Sequence, residues 1–232
     1  MFNSKYSKIL TALLIILIIG IVGTLGYFVY DLTSVSTKNN KAQETVKEFT
    51  EKSVKRQFDS TPDETNDNTV DENNNSSNPL DSIEGVSSTE NNTTSSADKT
   101  YMAGYEVMGT IEIPKTGIKY PILSEVTKKS LETSVAILYG VGLNQPGNTT
   151  IVGHNYRNGL FFSDNKKLSK GDTIKITDQT GTTITYAIYD MYLTSPSDAE
   201  YMQRDTEGAR EISLSTCTDD SSQRLIILAK EK

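Results

Sequence analysis

Glu211-Ile212-Ser213-Leu214-Ser215-Thr216-Cys217, the polar turn Thr218-Asp219-Asp220-Ser221-Ser222, and a second apolar run opening at Arg224 and continuing to Ala229 read as one antiparallel β-hairpin. Strand alternation puts Ile212 and Leu214 on one face and Ser213, Ser215 and Cys217 on the other. Cys217 therefore leaves the apolar side at the end of its strand. Six residues separate it from Arg224, so pairing of the two strands brings thiol and guanidinium to the same end of the sheet.

The same grammar extends upstream. Short β-type segments at Met108–Ile113, Ile118–Leu123, Thr149–Gly153, Thr173–Thr177 and Thr182–Tyr192, with an eighth at Val135–Leu138, alternate with Gly, Pro and Asn turns. Such spacing predicts an all-β barrel or sandwich from Tyr101 to the C-terminus, at 101–232. Helix is expected only in the connectors Thr127–Thr133 and Ser197–Gln203. The composition of residues 59–100 differs: runs such as Asn73-Asn74-Asn75-Ser76-Ser77 carry almost nothing apolar. They cannot offset the entropy of ordering, so residues 31–100 are expected to comprise a short stalk helix near Lys41–Gln57, with Val46, Phe49 and Val54 on one face, and a disordered acidic tether.

Ile9 to Tyr30 runs 22 residues without a charge, about 33 Å as a helix, against a hydrocarbon core of roughly 30 Å. The run exceeds the apolar region of a cleaved signal peptide and ends in Tyr27-Phe28-Val29-Tyr30, aromatics suited to the membrane interface. Residues 9–30 are therefore expected to span the membrane, with residues 1–8, containing Lys5 and Lys8, on the cytoplasmic side and the barrel outside.

Charge and composition exclude several classes. From Tyr101 onward 14 Lys+Arg face 16 Asp+Glu, which gives no basic footprint for nucleic acid. The chain has one cysteine and one histidine. That rules out an internal disulfide and every Cys/His zinc cluster, and neither a metal nor a cofactor is expected.

A free cysteine is often a small buried hydrophobe. In an exported domain, at a strand end and on a polar face, Cys217 reads instead as a reactive thiol. His154 ends the apolar strand Thr149–Gly153, so any Cys-His nucleophile in this chain must use these two residues. Arg224 presents a fork of donors suited to a carbonyl that becomes an oxyanion, with Arg157 as a second candidate. A strand-opening arginine is also commonly a solvated surface charge.

Leu214-Ser215-Thr216-Cys217, the arginine seven residues later, Gly153-His154-Asn155 and the opening Gly109-Thr110-Ile111-Glu112-Ile113-Pro114 with Tyr120-Pro121-Ile122 resemble the sortases, cysteine transpeptidases of Gram-positive cell surfaces. Ser213 stands where the family's cysteine motif commonly has threonine. The resemblance implies an eight-stranded β-barrel with Cys217, His154 and Arg224 as catalytic residues and Thr216, Ser215 and Asn155 beside the substrate. By that resemblance Cys217 cleaves an LPxTG-like sorting signal between Thr and Gly, and an amine of a peptidoglycan precursor resolves the thioester. His154 serves as acid and then base. The short Tyr192–Glu211 segment points to a small-barrel class. Ile113-Pro114-Lys115-Thr116-Gly117 itself mimics a sorting signal, and reads as a strand running into a turn. Rival readings are a thioester-hydrolysing peptidase, a pilus-assembling transpeptidase that uses a protein lysine, and a tethered wall-binding β-domain in which Cys217 is merely packed.

Overall fold

The structure, a computed structural model, describes residues 5–59 and 99–232. Nine strands form one sheet: β1 (Tyr101–Met102), β2 (Tyr105–Ile113), β3 (Ile118–Leu123), β4 (Val135–Gly140), β5 (Gly147–Val152), β6 (Thr173–Asp178), β7 (Thr183–Thr194), β8 (Arg210–Cys217) and β9 (Arg224–Glu231). Their order is β1-β2-β3-β4-β5-β8-β9-β7-β6, and β2 also pairs with β6, which closes β2 to β9 into an eight-stranded barrel. The two-residue β1 is an appendage on β2, and closure pairs every barrel strand on both sides, β3 with β4 only at Ile122 and Leu123.

Alternation sorts the side chains as the sequence predicts. Ile111, Ile113, Ile151, Ile174, Ile176, Ile212, Leu214 and Ile227 fill the interior, while Ile226 and Leu228 point outward into a separate cluster with Tyr201. The polar face of β8 is not open to water. Ser213 and Ser215 are buried beneath the β7–β8 connector, whose only helical element is a 3-10 turn at Glu200–Met202. Arg204 pins that roof, donating to Glu211 Oε2 at 2.6 Å, Asn148 Oδ1 at 3.1 Å and Ser213 Oγ at 3.2 Å. The expected connector helix near Thr127 is α2 (Lys128–Leu131), capped by Thr127 and Ser130.

Ile113-Pro114-Lys115-Thr116-Gly117 is the β2–β3 turn. Pro114–Thr116 form a 3-10 turn ended by left-handed Gly117, with Ile113 and Ile118 buried on either side. It is not an extended peptide that a second enzyme could grip.

The N-terminal segment departs most from expectation. Lys5–Asp59 is one helix, α1, so the stalk is a continuation of the apolar span. None of the apolar window is buried in protein, and the helix is long and apolar enough to cross a membrane. Beyond it, Ala42, Val46 and Phe49 are buried against the barrel, with Ala42 and Phe49 inside the main core. Val54, expected on the same face, is 45% exposed, because five residues after Phe49 turn the helix by about 140°. Gln43 Nε2 donates to Lys119 O of β3 at 2.9 Å, Arg56 to Gln179 O, and Lys52 Nζ to Lys99 O at 2.9 Å. The expected tether lies almost wholly outside the described residues. Lys99, the first described residue after it, accepts from Lys52 of the helix.

Candidate active site

Three adjacent strands deliver the predicted residues to one level. β5 runs parallel to β8 with Val152 opposite Ser215, and Gly153 N–H continues that ladder to Ser215 O at 3.3 Å. His154 is therefore level with Cys217. β9 runs antiparallel to β8 with Arg224 opposite Cys217, and Arg224 Nη1 lies 2.6 Å from Cys217 Sγ. Neighbouring strands are about 4.8 Å apart, so the thiol sits between the imidazole strand and the guanidinium strand. The guanidinium and the thiol meet directly, just beyond the roof over Ser215.

The β8–β9 turn fixes that register. Thr218 N–H donates to Gln223 O at 3.0 Å, Gln223 N–H to Thr218 Oγ1 at 3.1 Å, and Thr218 Oγ1 to Asp220 Oδ1 at 2.6 Å. Hydroxyl donors from Thr218 and Ser222 lower the Asp220 pKa to about 2, so the turn keeps its anionic anchor through the physiological range.

The histidine segment is stapled to β8 on either side of His154. Thr216 Oγ1, itself buried, donates to Gly153 O at 2.8 Å. Asn155 Nδ2 donates to Cys217 O at 3.0 Å and to Asp219 Oδ1 at 2.9 Å, while its Oδ1 accepts from Arg157 N–H at 3.0 Å. Glycine at 153 is a packing requirement, since a Cβ there would sit 2.8 Å from Val135 and 2.9 Å from Phe162. Burial lowers the pKa of His154, Glu132 opposes the shift, and the positive charges of Arg224 and Lys38 add to it. The imidazole rests neutral at pH 7, ready to accept a proton.

A cleft of ≈ 380 Å³ opens beside the thiol, its apolar wall made by Phe162, Met191, Leu193 and Leu225 and its rim by Thr216 and Asn155. The substrate-side residues expected from sequence thus divide. Thr216 lines the cleft. Asn155 lines it too, yet its amide is committed to holding the loop. Ser215 does not reach it: its hydroxyl accepts from Tyr201 Oη at 3.3 Å beneath the roof. Arg157 is exposed, with its charge acting on Asp219, so Arg224 alone of the two arginines meets the sulfur. Sequence reasoning missed Tyr156, whose ring lies 4.9 Å from that of His154; only its position two residues after the histidine marked it. Among the described residues no His/Cys/Asp/Glu cluster could hold a metal.

Residues 111–232 match the family model described as the Sortase domain. Sortase A of Bacillus anthracis is 31% identical over 125 residues, covering 53% of this chain and 58% of that protein, so the match spans less than two thirds of that relative. Sortase A from Corynebacterium diphtheriae is similar in structure, with TM-score 0.51 and 28% identity over 55% of this chain and 61% of the other. Sortase C1 from Streptococcus suis aligns with TM-score 0.51 and 25% identity, over 55% and 74%.

Proposed function

Because this chain belongs to the sortase family, we propose that it is a cysteine transpeptidase, held by α1 in the cell membrane with its N-terminus cytoplasmic and its barrel outside. Its substrates are surface proteins carrying an LPxTG-like sorting signal. The acceptor is an amine of a peptidoglycan precursor, and no cofactor takes part. The observation that supports this reading best is the row His154, Cys217, Arg224 on three neighbouring strands, with the guanidinium 2.6 Å from the sulfur.

In this reading Cys217 Sγ attacks the Thr carbonyl of the signal while the thiol proton passes to His154, which burial keeps neutral and receptive. Arg224 donates to the carbonyl oxygen as it becomes an oxyanion. The Thr–Gly C–N bond breaks, His154 returns its proton to the departing glycine amine, and a thioester remains. The acceptor amine attacks that thioester, gives its proton to His154 and releases Cys217, which takes the proton back. The apolar cleft wall suits the aliphatic part of the signal.

The test uses the full chain in detergent with a panel of LPxTG-like peptides and hydroxylamine, read by mass spectrometry. A hydroxamate at the Thr carbonyl that vanishes in Cys217→Ala is the expected result. Hydrolysis alone, unchanged by the added amine, would make the protein a peptidase. Folded protein with neither product nor adduct would favour the wall-binding reading.

A further inference from the structure

Helix α1 does more than carry the barrel. The side chains it turns inward recur at Val35, Lys38, Ala42, Thr45, Val46, Phe49 and Ser53, a helical stripe of seven in which Lys38 alone is charged. Lys38 Nζ lies 5.3 Å from the centroid of the Tyr156 ring, within the range of a cation–π contact. That ring in turn lies 4.9 Å from His154 and 5.8 Å from Phe161, which meets Tyr120 of β3 edge-on at 5.2 Å. Tyr120 is buried beside the strand edge that Gln43 of α1 grips through Lys119. The aromatic chain thus joins the docked helix to the catalytic histidine along two routes.

We propose that Lys38 is a positioning residue for His154: seated over Tyr156, it holds that ring against the imidazole, so that docking of the helix on the barrel sets the working geometry of the histidine. This rests on His154 being the acid–base residue of the reading above. Tyr156 is 36% exposed and opens a loop turned by left-handed Arg157 and Gly159. Among the described residues, Lys38 is the α1 side chain that meets that ring. The charged and titratable groups around His154 are Lys38 on α1, Glu132 after α2, Arg224 on β9, Cys217 on β8 and Tyr156 itself. Of these, Lys38, Arg224 and Glu132 shape its titration, the two cations favouring the neutral imidazole.

The experiment uses the full chain in lipid nanodiscs, with Lys38→Met, which keeps length and removes charge, Lys38→Arg, which restores the cation, and Lys47→Met as a control at an exposed lysine of the same helix that faces Glu51 at 3.9 Å. His154 is the only histidine, so its NMR titration is unambiguous and independent of turnover. Lys38→Met is expected to move that titration upward and to lower kcat about tenfold with KM within about twofold, as misplacement of one catalytic group would. Lys38→Arg should restore both, and Lys47→Met should change neither. A folded Lys38→Met protein with unaltered titration and kcat would overturn the proposal, as would loss of melting temperature matching the loss of activity without recovery in Lys38→Arg. If the wild type transferred no peptide, the site reading would fail while the titration arm still decided whether Lys38 governs His154.

Discussion

Phe49→Ala tests whether the helix leaving the apolar span belongs to the barrel. Phe49 is fully buried and lies in the main core with Val107, Ile111 and Tyr120. Removing a phenyl ring from such a site costs about 3–5 kcal/mol, through lost transfer energy and the cavity left behind. For a protein of this size each kcal/mol moves the melting temperature by about 2–4 °C, so a fall of about 6–20 °C is expected. Val54→Ala on the same helix is the control. Val54 is 45% exposed, and a surface change of this kind stays within about 0.5 kcal/mol. The assay is thermal unfolding of the full chain in detergent, followed by near-ultraviolet circular dichroism of the tyrosines. A shift below about 2 °C for Phe49→Ala, matching Val54→Ala, would refute the docking and with it the route from Lys38 to His154.

Three further outcomes follow from the site. Arg224→Ala should lower kcat/KM by about 10²–10³, the scale of a lost oxyanion donor, and Arg224→Lys should recover only part, since a single ammonium cannot reach sulfur and carbonyl oxygen together; full activity in Arg224→Ala would remove the arginine from the mechanism. Thr216→Val keeps the shape of a buried side chain but leaves Gly153 O unpaired, which should destabilise by about 1–3 kcal/mol and lower kcat, whereas Thr216→Ser restores the bond and the rate. Burial holds the folded pKa of His154 below its unfolded value of about 6.5. Its contribution to stability is therefore complete above about pH 6.5 and is lost as pH falls through the folded value. His154→Gln should lose less melting temperature than the wild type between pH 7.5 and pH 5, and an equal loss would show that the imidazole is not desolvated.

What was legible in the sequence was local. Period-two alternation and Gly/Pro turns located the barrel strands, because each buried row is written in consecutive residues. The same alternation could place Ser215 on the face of Cys217 but not the roof above it, since Tyr201 and Arg204 reach that face only through tertiary folding. Asn155 stood beside the substrate only through the resemblance carried by Gly153-His154-Asn155. Its three hydrogen-bond partners come from Arg157, Cys217 and Asp219, two of them more than sixty residues away. The docking stripe of α1 was obscured by its chemistry: Lys38, Thr45 and Ser53 interrupt it, and Val54 offered a false apolar face.

That docking also changes how the protein meets its substrates. A tether would let the barrel roam, and the length of residues 59–100 would set its reach. With Ala42 and Phe49 of α1 seated in the barrel core, reach is set by the helix. Lys38 lies eight residues beyond Tyr30, a rise of about 12 Å, and Lys38 is where α1 touches the ring beside His154. If Tyr30 marks the end of the span, the proposed site lies about one helix diameter above the bilayer. Under the proposed function, the rigid helix would favour a sorting signal and an acceptor amine that are themselves confined to the membrane surface. Inserting helical turns between Tyr30 and Val35 should lower turnover of membrane-attached substrate while leaving cleavage of a free peptide unchanged; equal effects on both would show that height above the bilayer plays no part.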